Sequence, residues 1–324
     1  DELQSHITSP CPPLDLMVHI GEISAASFND TIPAKEVWRV SEDGELRDPF
    51  KKLTTVFQMS EEMFFLHYGK DGCNRHVLID ECRELFGEIY EQIPELPFCN
   101  IWTAMQLSSR LPKGALFHMG VSNTRRCWNM FQLPESVESA CNVGCCGIDG
   151  CVSTLVGASL VNPDRLCYVV VGDLTFFYDL NSLGNHHIGT NLRVMLVNNG
   201  RGTEFRLGIH HCNVFGDDAD KYMASAGHFG NKSPLLVKHY AEDLGFHYLS
   251  ATTKEEFMTA LSNFTNPQLS DHSMILEVFT DSKDESEALY LMSHIQSDAK
   301  GMVRSKLKDA VRNVACLLYT SPSP

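Results

Sequence analysis

Two apolar runs in the middle of the chain end in polar residues that could bind a metal ion. The run VVVG at 169–172 is followed by Asp173, and the run VMLV at 194–197 is followed by Asn198, Asn199 and Gly200. A hard divalent cation such as Mg²⁺ takes oxygen ligands in an octahedron, with one or two from protein side chains and the rest from phosphates and water. One aspartate and one asparagine, with a backbone carbonyl, meet that demand.

Each motif by itself has a common structural explanation. A strand-terminal aspartate often caps a helix, and Asn-Gly is a common turn. The pair is more informative, because Asp173 and Asn199 are separated by 26 positions, enough for one helix and one return strand. A right-handed βαβ unit places two such strand ends side by side. Gly172 would allow a close turn there, and the helix after Asp173 would direct its amide groups toward phosphate oxygens.

The elements that must position these residues follow a regular alternation. Continuously apolar strands separated by helical patterns predict an α/β fold, with a parallel sheet and helices on both faces. We predict strands at 115–120, 167–173, 192–199 and 273–279, and helices at 100–111, 125–131, 147–161, 176–186, 217–228, 233–244, 253–263 and 283–314.

A smaller α/β layer precedes this region. It has predicted strands at 15–23, 36–46 and 51–59, a helix that begins after Ser60, and a helix at 80–92. The proline-bearing stretch IPELPF is the best boundary. We therefore predict a partial middle domain at 1–95, a larger domain at 96–315, and a non-native tail at 316–324.

Composition narrows the classes of partner. The formal net charge is −15 and the basic residues are scattered, which argues against nucleic-acid binding. No apolar run approaches the roughly 18 residues of a membrane span. The 12 cysteines are spread through apolar segments, as is typical of reduced thiols in a cytoplasmic protein. We expect a cytoplasmic protein that binds neither nucleic acid nor membranes.

Three motifs together resemble one enzyme family. The Gly-Asp and Asn-Asn pair is similar to the diphosphate-binding motif of thiamine diphosphate enzymes. The stretches GVSNTRR, GIDG and GDLTFFYDLNSL further resemble the 2-succinyl-5-enolpyruvyl-6-hydroxy-3-cyclohexene-1-carboxylate synthases of menaquinone biosynthesis. The resemblance is close from about residue 100 to 210 and looser from 15 to 70, where RDPFKKLTTVFQM is most similar. It implies the thiamine diphosphate-binding fold after part of a middle domain.

The resemblance also implies roles for individual residues. Asp173, Asn199 and the Arg201 carbonyl would hold Mg²⁺ or Mn²⁺. The remaining cofactor contacts would come from Cys146 and Gly147 on the aminopyrimidine side, Ile148 below the thiazolium ring, and Gly172 and Leu174 in the metal motif. Ser122, Arg126 and Phe205 would contact the acidic substrate, and a guanidinium offers a planar fork for a carboxylate.

The family's activity would be decarboxylation of 2-oxoglutarate followed by carboligation to isochorismate, in a homodimer or homotetramer. Its activating glutamate lies in a separate N-terminal domain that no part of this chain matches, so we assign no catalytic residue here. Two alternatives stay open. One is a 2-oxo acid decarboxylase with the diphosphate-binding half as a separate subunit, and the other is a non-catalytic α/β binding module.

Three positions depart from the family pattern. Val143 stands where an arginine is usual, and its loss removes a charged hydrogen bond of about 1.5–3 kcal/mol. Glu204 and Gly208 stand where apolar contacts are expected. A new carboxylate at Glu204 would repel a substrate that carries several carboxylates.

Overall fold

The computed structural model describes residues 14–20, 34–69, 77–143, 147–208, 210–222 and 233–295. These residues form two compact units, one within Asp1–Pro94 and the other within Glu95–Met292, and the short stretch 293–295 groups with the first. The assignment of 1–95 to a middle domain, of 96–315 to a diphosphate-binding domain and of 316–324 to a non-native tail stays a prediction.

The first unit is a small α/β layer. Its parallel strands pair in the order in which they occur in the chain, at Leu14–Ile20 (β1), Ala34–Ser41 (β2) and Leu53–Gln58 (β3). Helix α1 spans Glu61–Tyr68, and the Ser60 hydroxyl caps it by accepting the Met63 N–H at 3.3 Å. Helix α2 spans Val77–Glu91. The three predicted strands and the Ser60 cap are confirmed, although β2 ends at Ser41 rather than at 46 and the predicted end of the first strand, 21–23, lies outside the described residues.

The second unit is built on a parallel sheet. Its strands span Leu116–Met119 (β4), Glu138–Cys141 (β5), Cys167–Gly172 (β6), Leu192–Asn198 (β7), His247–Ala251 (β8) and Met274–Phe279 (β9). Its helices span Asn100–Leu107 (α3), Asn123–Trp128 (α4), Cys151–Val161 (α5), Asp173–Tyr178 (α6), Leu236–Asp243 (α7), Lys254–Phe264 (α8) and Ser282–Met292 (α9). The strands lie in the order β5-β4-β6-β7-β9-β8, and every pair is parallel.

The order of the strands reverses beside β4. After β4 the chain moves to the edge strand β5, and it then returns to β6 on the other side of β4. In open α/β sheets, ligands bind outside the carboxyl ends of the strands at such a switch point. The carboxyl ends of β4, β6 and β7 are therefore the place where the topology favours a site.

Helices cover both faces of the central strands. On one face, Val169 of β6 packs in a buried cluster with Leu155 of α5 and Val237 of α7. On the other face, the neighbouring Tyr168 meets Phe264 of α8 edge-on, with ring centroids 5.5 Å apart, and its hydroxyl donates to the Phe264 carbonyl at 3.0 Å. Successive residues of a strand point to opposite faces. The predicted α/β fold, with a parallel sheet flanked by helices, is confirmed.

Several predicted helix limits were wrong for identifiable reasons. Helix α5 begins at Cys151 rather than at 147, because Gly150 takes a φ of +84°, which a helix does not accept. The helix predicted at 176–186 begins at Asp173, ends at Tyr178 and is followed by a 3₁₀ turn at 180–184. It is therefore shorter and starts earlier than its sequence pattern indicates.

The helix predicted at 217–228 was also wrong where the structure can test it. Residues 211–221 form 3₁₀ turns that Gly216 interrupts with a φ of +52°, and residues 223–232 lie outside the described part of the chain. Strands β5 and β8 were missed because both are edge strands with mixed burial, so neither carries a continuous apolar run. The predicted helix at 283–314 is seen as α9, and the residues from 296 onward are not described.

Within the stretches that the structure describes, no helix is both long enough and apolar enough to cross a bilayer.

Candidate functional site

The metal-binding motifs lie at adjacent strand ends. Strands β6 and β7 pair in parallel with Gly172 opposite Val197, so Asp173 follows at the level of Asn198, and Asn199 lies one residue beyond. Asp173 is only 2% exposed, and its Oδ1 accepts the Leu174 N–H at 2.7 Å. The crossover expected from the spacing therefore brings both motifs to one edge of the sheet.

The two asparagines have different environments. Asn198 is buried; its Nδ2 donates to Glu277 Oε1 at 2.7 Å and its Oδ1 accepts the Gly200 N–H at 3.2 Å. Asn199 Oδ1 accepts the Arg201 N–H at 3.4 Å. Gly200 takes a φ of +81°, which glycine adopts at little cost. Asn198 thus fixes the turn, while Asn199 lines the cavity described next.

A cavity of about 260 Å³ opens at these strand ends. Eight residues predicted for the site line it: Ser122, Ile148, Gly172, Asp173, Leu174, Asn199, Arg201 and Phe205. Glu204, which we predicted beside the substrate as a departure from the family pattern, lines it too, and residues not assigned to the site complete the wall: Asn100, Val121, Asn123, Thr124, Thr175, Val197, Gly202 and Thr203. The strand-end motifs and the serine motif therefore share one cavity.

Three predicted residues stand apart from this lining. Gly147 is half-buried but lies outside the set of residues that line the cavity. Cys146 lies outside the described residues, so its predicted role is not tested. Arg126 reaches the cavity wall through Glu204, as shown below. Of the departures from the family pattern, neither Val143 nor the exposed Gly208 lines the cavity.

Gly172 does not have the backbone conformation expected of it. Its φ of −76° and ψ of 168° are open to any residue, and a Cβ there would meet only Thr124 Oγ1, at 4.0 Å. The close turn that was expected to require glycine is therefore absent. The short helix α6 also offers only its first few amide groups, and one of them, from Leu174, is already bonded to Asp173.

Ser122 carries backbone strain inside the site. It follows β4 with φ +57° and ψ −125°, a conformation that favours glycine, and it precedes the first residue of α4. Strained non-glycine residues cost about 1–3 kcal/mol and occur preferentially at functional sites. The strain sets the entry of α4 and so the position of Arg126 one turn later.

Arg126 is paired with a carboxylate of the protein. Its Nη1 donates to Glu204 Oε2 and its Nη2 to Glu204 Oε1, each at 2.9 Å, and Nη1 also lies 3.4 Å from Asn123 Oδ1. The repulsion of a polycarboxylate substrate by Glu204 stays a prediction, but the structure pairs the charge of Glu204 with the arginine that was predicted to contact that substrate. That pairing could not be inferred from residue types alone.

A second ionic contact fixes the loop that carries Arg201. Asp220 Oδ2 lies 3.0 Å from Arg201 Nη1, and Asp220 Oδ1 lies 3.0 Å from Arg206 Nε. Because Asp220 bridges both ends of the segment at 201–206, the Arg201 carbonyl and Glu204 are held on one short, braced turn. The acidic cluster at 216–220, which we predicted to begin a helix, contributes this bridge instead.

Asn100 was missed because it lies far from every motif in the sequence. Its N–H donates to Glu285 Oε1 at 3.0 Å, and its Oδ1 accepts the Trp128 indole N–H at 3.1 Å. Glu285 is buried, and burial raises its pKa to about 7, against the opposing effect of hydrogen bonds from Thr280 and Asn100. No signal in the sequence marks this contact with the cavity.

The donor set fits a divalent cation with a diphosphate. A buried carboxylate at Asp173 and an amide oxygen at Asn199 line one cavity, and both are ligand types that Mg²⁺ prefers. The described stretches hold no cluster of three or more His, Cys, Asp and Glu side chains suited to a metal. A site of that composition is thus not seen there, and the candidate ligands are one carboxylate, one amide and backbone.

Comparison with known proteins connects this geometry to a family. No family model matches the chain. A curated 2-succinyl-5-enolpyruvyl-6-hydroxy-3-cyclohexene-1-carboxylate synthase of Bacteroides fragilis is 34% identical over 263 residues, covering 79% of this chain and 45% of that protein. A synthase of the same name from Phocaeicola vulgatus is 32% identical over 264 residues, covering 79% of this chain and 44% of that protein.

A third synthase of that name, from Christiangramia forsetii, is 33% identical over 199 residues, covering 61% of this chain and 33% of that protein. The chain spans about half the length, or less, of the curated relatives it matches. The resemblance that the motifs predicted is confirmed: the chain is a partial relative of the 2-succinyl-5-enolpyruvyl-6-hydroxy-3-cyclohexene-1-carboxylate synthases.

Proposed function

We propose that the chain supplies the diphosphate-binding part of a thiamine diphosphate-dependent enzyme. The reaction we propose is decarboxylation of 2-oxoglutarate and carboligation of the product to isochorismate. The observation that carries the proposal is the shared cavity of Asp173 and Asn199 at adjacent strand ends, on a chain related to synthases of this name. The names of the relatives support neither a separate-subunit decarboxylase nor a non-catalytic module.

In this proposal the strand ends hold the cofactor. Asp173, Asn199 and the Arg201 carbonyl would bind Mg²⁺ or Mn²⁺, which in turn would hold the diphosphate. When bound, thiamine diphosphate supplies the electron sink that decarboxylation of a 2-oxo acid requires. Gly172 and Leu174 would border the diphosphate, and Ile148, together with Gly147 and Cys146, would border the organic part of the cofactor.

The chain's own side chains would orient the substrate. Ser122 and Phe205 line the cavity, and Arg126 is paired with the lining residue Glu204, so a hydroxyl, an aromatic ring and a guanidinium would be available to an acidic substrate. The buried position of Asp173 keeps its carboxylate out of bulk water and strengthens its attraction for a cation.

The rest of the proposed enzyme would come from protein outside this chain. By the family resemblance, the glutamate that activates the cofactor belongs to an N-terminal domain, and the cofactor lies between two subunits. We therefore propose a cytoplasmic homodimer or homotetramer of the full-length protein as the active species.

Cofactor titration of the full-length protein tests the proposal. Thiamine diphosphate should bind with Mg²⁺ and at least tenfold more weakly without it, since one lost charged contact of about 1.4 kcal/mol has that effect. Asp173→Asn should weaken the metal-dependent binding, whereas Asp218→Asn should not, because Asp218 is an exposed partner of Lys221 outside the cavity. Thiamine diphosphate affinity that did not depend on Mg²⁺, or an Asp173→Asn variant with normal cofactor affinity, would refute the proposed site.

A further inference from the structure

The pairing of Arg126 with Glu204 has a consequence for substrate choice. The two guanidinium nitrogens of Arg126 that face Glu204 each donate to a different carboxylate oxygen at 2.9 Å. This bidentate geometry is the one that an arginine uses to recognise a carboxylate ligand. Glu204 therefore occupies the contact that a substrate carboxylate would make.

Water screens the Arg126–Glu204 ion pair only weakly. The side chains of Arg126 and Glu204 are 18% and 24% exposed, so the pair is largely shielded from water. A substrate carboxylate that displaced Glu204 would leave a second carboxylate beside it in a half-buried cavity, and like charges at short range repel. Displacement of Glu204 is thus opposed both by the loss of its ion pair with Arg126 and by the repulsion between the two carboxylates.

The backbone beneath Glu204 is braced. Thr203 is buried, and the Arg206 side chain is held by Asp220 at 3.0 Å. The Arg206 carbonyl also accepts a hydrogen bond from Ser286 Oγ at 3.4 Å. These contacts flank Glu204 on one 3₁₀ turn and hold its backbone in place beside Arg126.

We propose that Glu204 is a specificity-determining residue that competes with the substrate's distal carboxylate for Arg126. This inference rests on the proposed function. Glu204 disfavours oxo acids with a second carboxylate, such as 2-oxoglutarate, relative to oxo acids with a neutral side chain. The same feature that neutralises Arg126 therefore lowers the affinity of the cavity for dicarboxylates.

The test measures binding and turnover in the full-length protein. Succinate and butyrate are four-carbon probes that differ by one carboxylate, and calorimetric titration gives their affinities without turnover. Glu204→Gln keeps the shape of the side chain and removes its charge, while Glu204→Asp keeps the charge and shortens its reach. Glu138→Gln is a matched control. Glu138 forms an ion pair with Arg165, with an N–O distance of 2.9 Å, and it does not line this cavity.

We expect Glu204→Gln to bind succinate about tenfold more tightly than the unmodified protein does, with butyrate binding changed by less than about twofold. The affinity of Glu204→Asp for succinate should lie between those of Glu204→Gln and the unmodified protein, and the affinity of Glu138→Gln should equal that of the unmodified protein. In turnover, the ratio of kcat/KM for 2-oxoglutarate to that for 2-oxobutyrate should rise about tenfold in Glu204→Gln, mainly through KM. Arg126→Ala combined with Glu204→Gln should abolish the gain in succinate binding.

Unchanged or weaker succinate binding by both Glu204 variants, in protein that melts at the normal temperature, would overturn the proposal. Equal gains for succinate and butyrate would overturn it as well, because the effect would then be one of space rather than charge. Succinate is titrated with and without thiamine diphosphate and Mg²⁺. A protein that failed to bind the cofactor would refute the proposed function, while the succinate comparison would still decide the role of Glu204.

Discussion

Glu285 should make the stability of the second unit depend on pH. It lies on α9 and is 1% exposed, and its Oε1 accepts hydrogen bonds from the Asn100 N–H at 3.0 Å and the Thr280 hydroxyl at 2.8 Å. Burial raises its pKa from the usual 4.5 to about 7, because the ionised form loses its hydration. Folding therefore favours the protonated carboxyl.

The sign and size of the effect follow from that rise. A carboxyl whose pKa is higher in the folded state contributes stability that is fully present below about pH 4.5 and is lost as the pH rises through about 7. At about 1.4 kcal/mol per pKa unit, the loss is about 3 kcal/mol. Glu285→Gln keeps an acceptor oxygen for Asn100 and Thr280 and removes the ionisation.

Urea unfolding of the full-length protein between about pH 4 and about pH 8 measures this difference. The variant and the unmodified protein should have similar stability at the acidic end. As the pH rises, the free energy of unfolding of the variant should increasingly exceed that of the unmodified protein, by about 3 kcal/mol above pH 7. Glu287→Gln is the matched control on the same helix, where the side chain is exposed, and it should show no such gain. Equal free energies of unfolding for Glu285→Gln and the unmodified protein at every pH would refute the reasoning.

Two further substitutions test how the site is built. Ser122→Gly should stabilise the protein by about 1 kcal/mol, since glycine adopts the φ of +57° without strain, whereas Ser122→Ala should not; equal melting temperatures for the two variants would contradict the strain. Glu277→Leu should destabilise the protein by about 2–5 kcal/mol and weaken Mg²⁺-dependent cofactor binding, because Asn198 and the Tyr248 hydroxyl each lose an acceptor at 2.7 Å. Chemical denaturation and cofactor titration measure the two effects, and normal cofactor affinity in Glu277→Leu would show that Asn198 does not position Asn199.

The strand ends could be predicted because the physical rules behind them are local. The runs at 169–172 and 194–197 are apolar throughout, as strands buried on both faces must be, and the polar residues that follow them mark the carboxyl ends of the strands. Parallel pairing then fixes the register, so Asp173 and Asn199 come to one cavity without further information. This part of the site depends on composition and spacing alone.

The helix limits could be predicted less well because single residues decide them. Gly150 and Gly216 take positive φ values that break helical geometry, one inside and one directly before a predicted helix. At Asp179, the end of α6 coincides with a side chain that accepts the Ser153 N–H of α5 at 2.6 Å. A tertiary contact of this kind stabilises a break that local propensity does not require.

The substrate side of the cavity depends on a contact between distant residues, which residue types alone do not reveal. Arg126 and Glu204 are 78 positions apart, and Glu204 meets Arg126 only because the turn at 203–206 lies beside α4. An arginine and a carboxylate considered separately predict one attractive and one repulsive contact with an acidic ligand. Once paired, they present almost no net charge, so the selectivity of the cavity depends on the free energy of separating them.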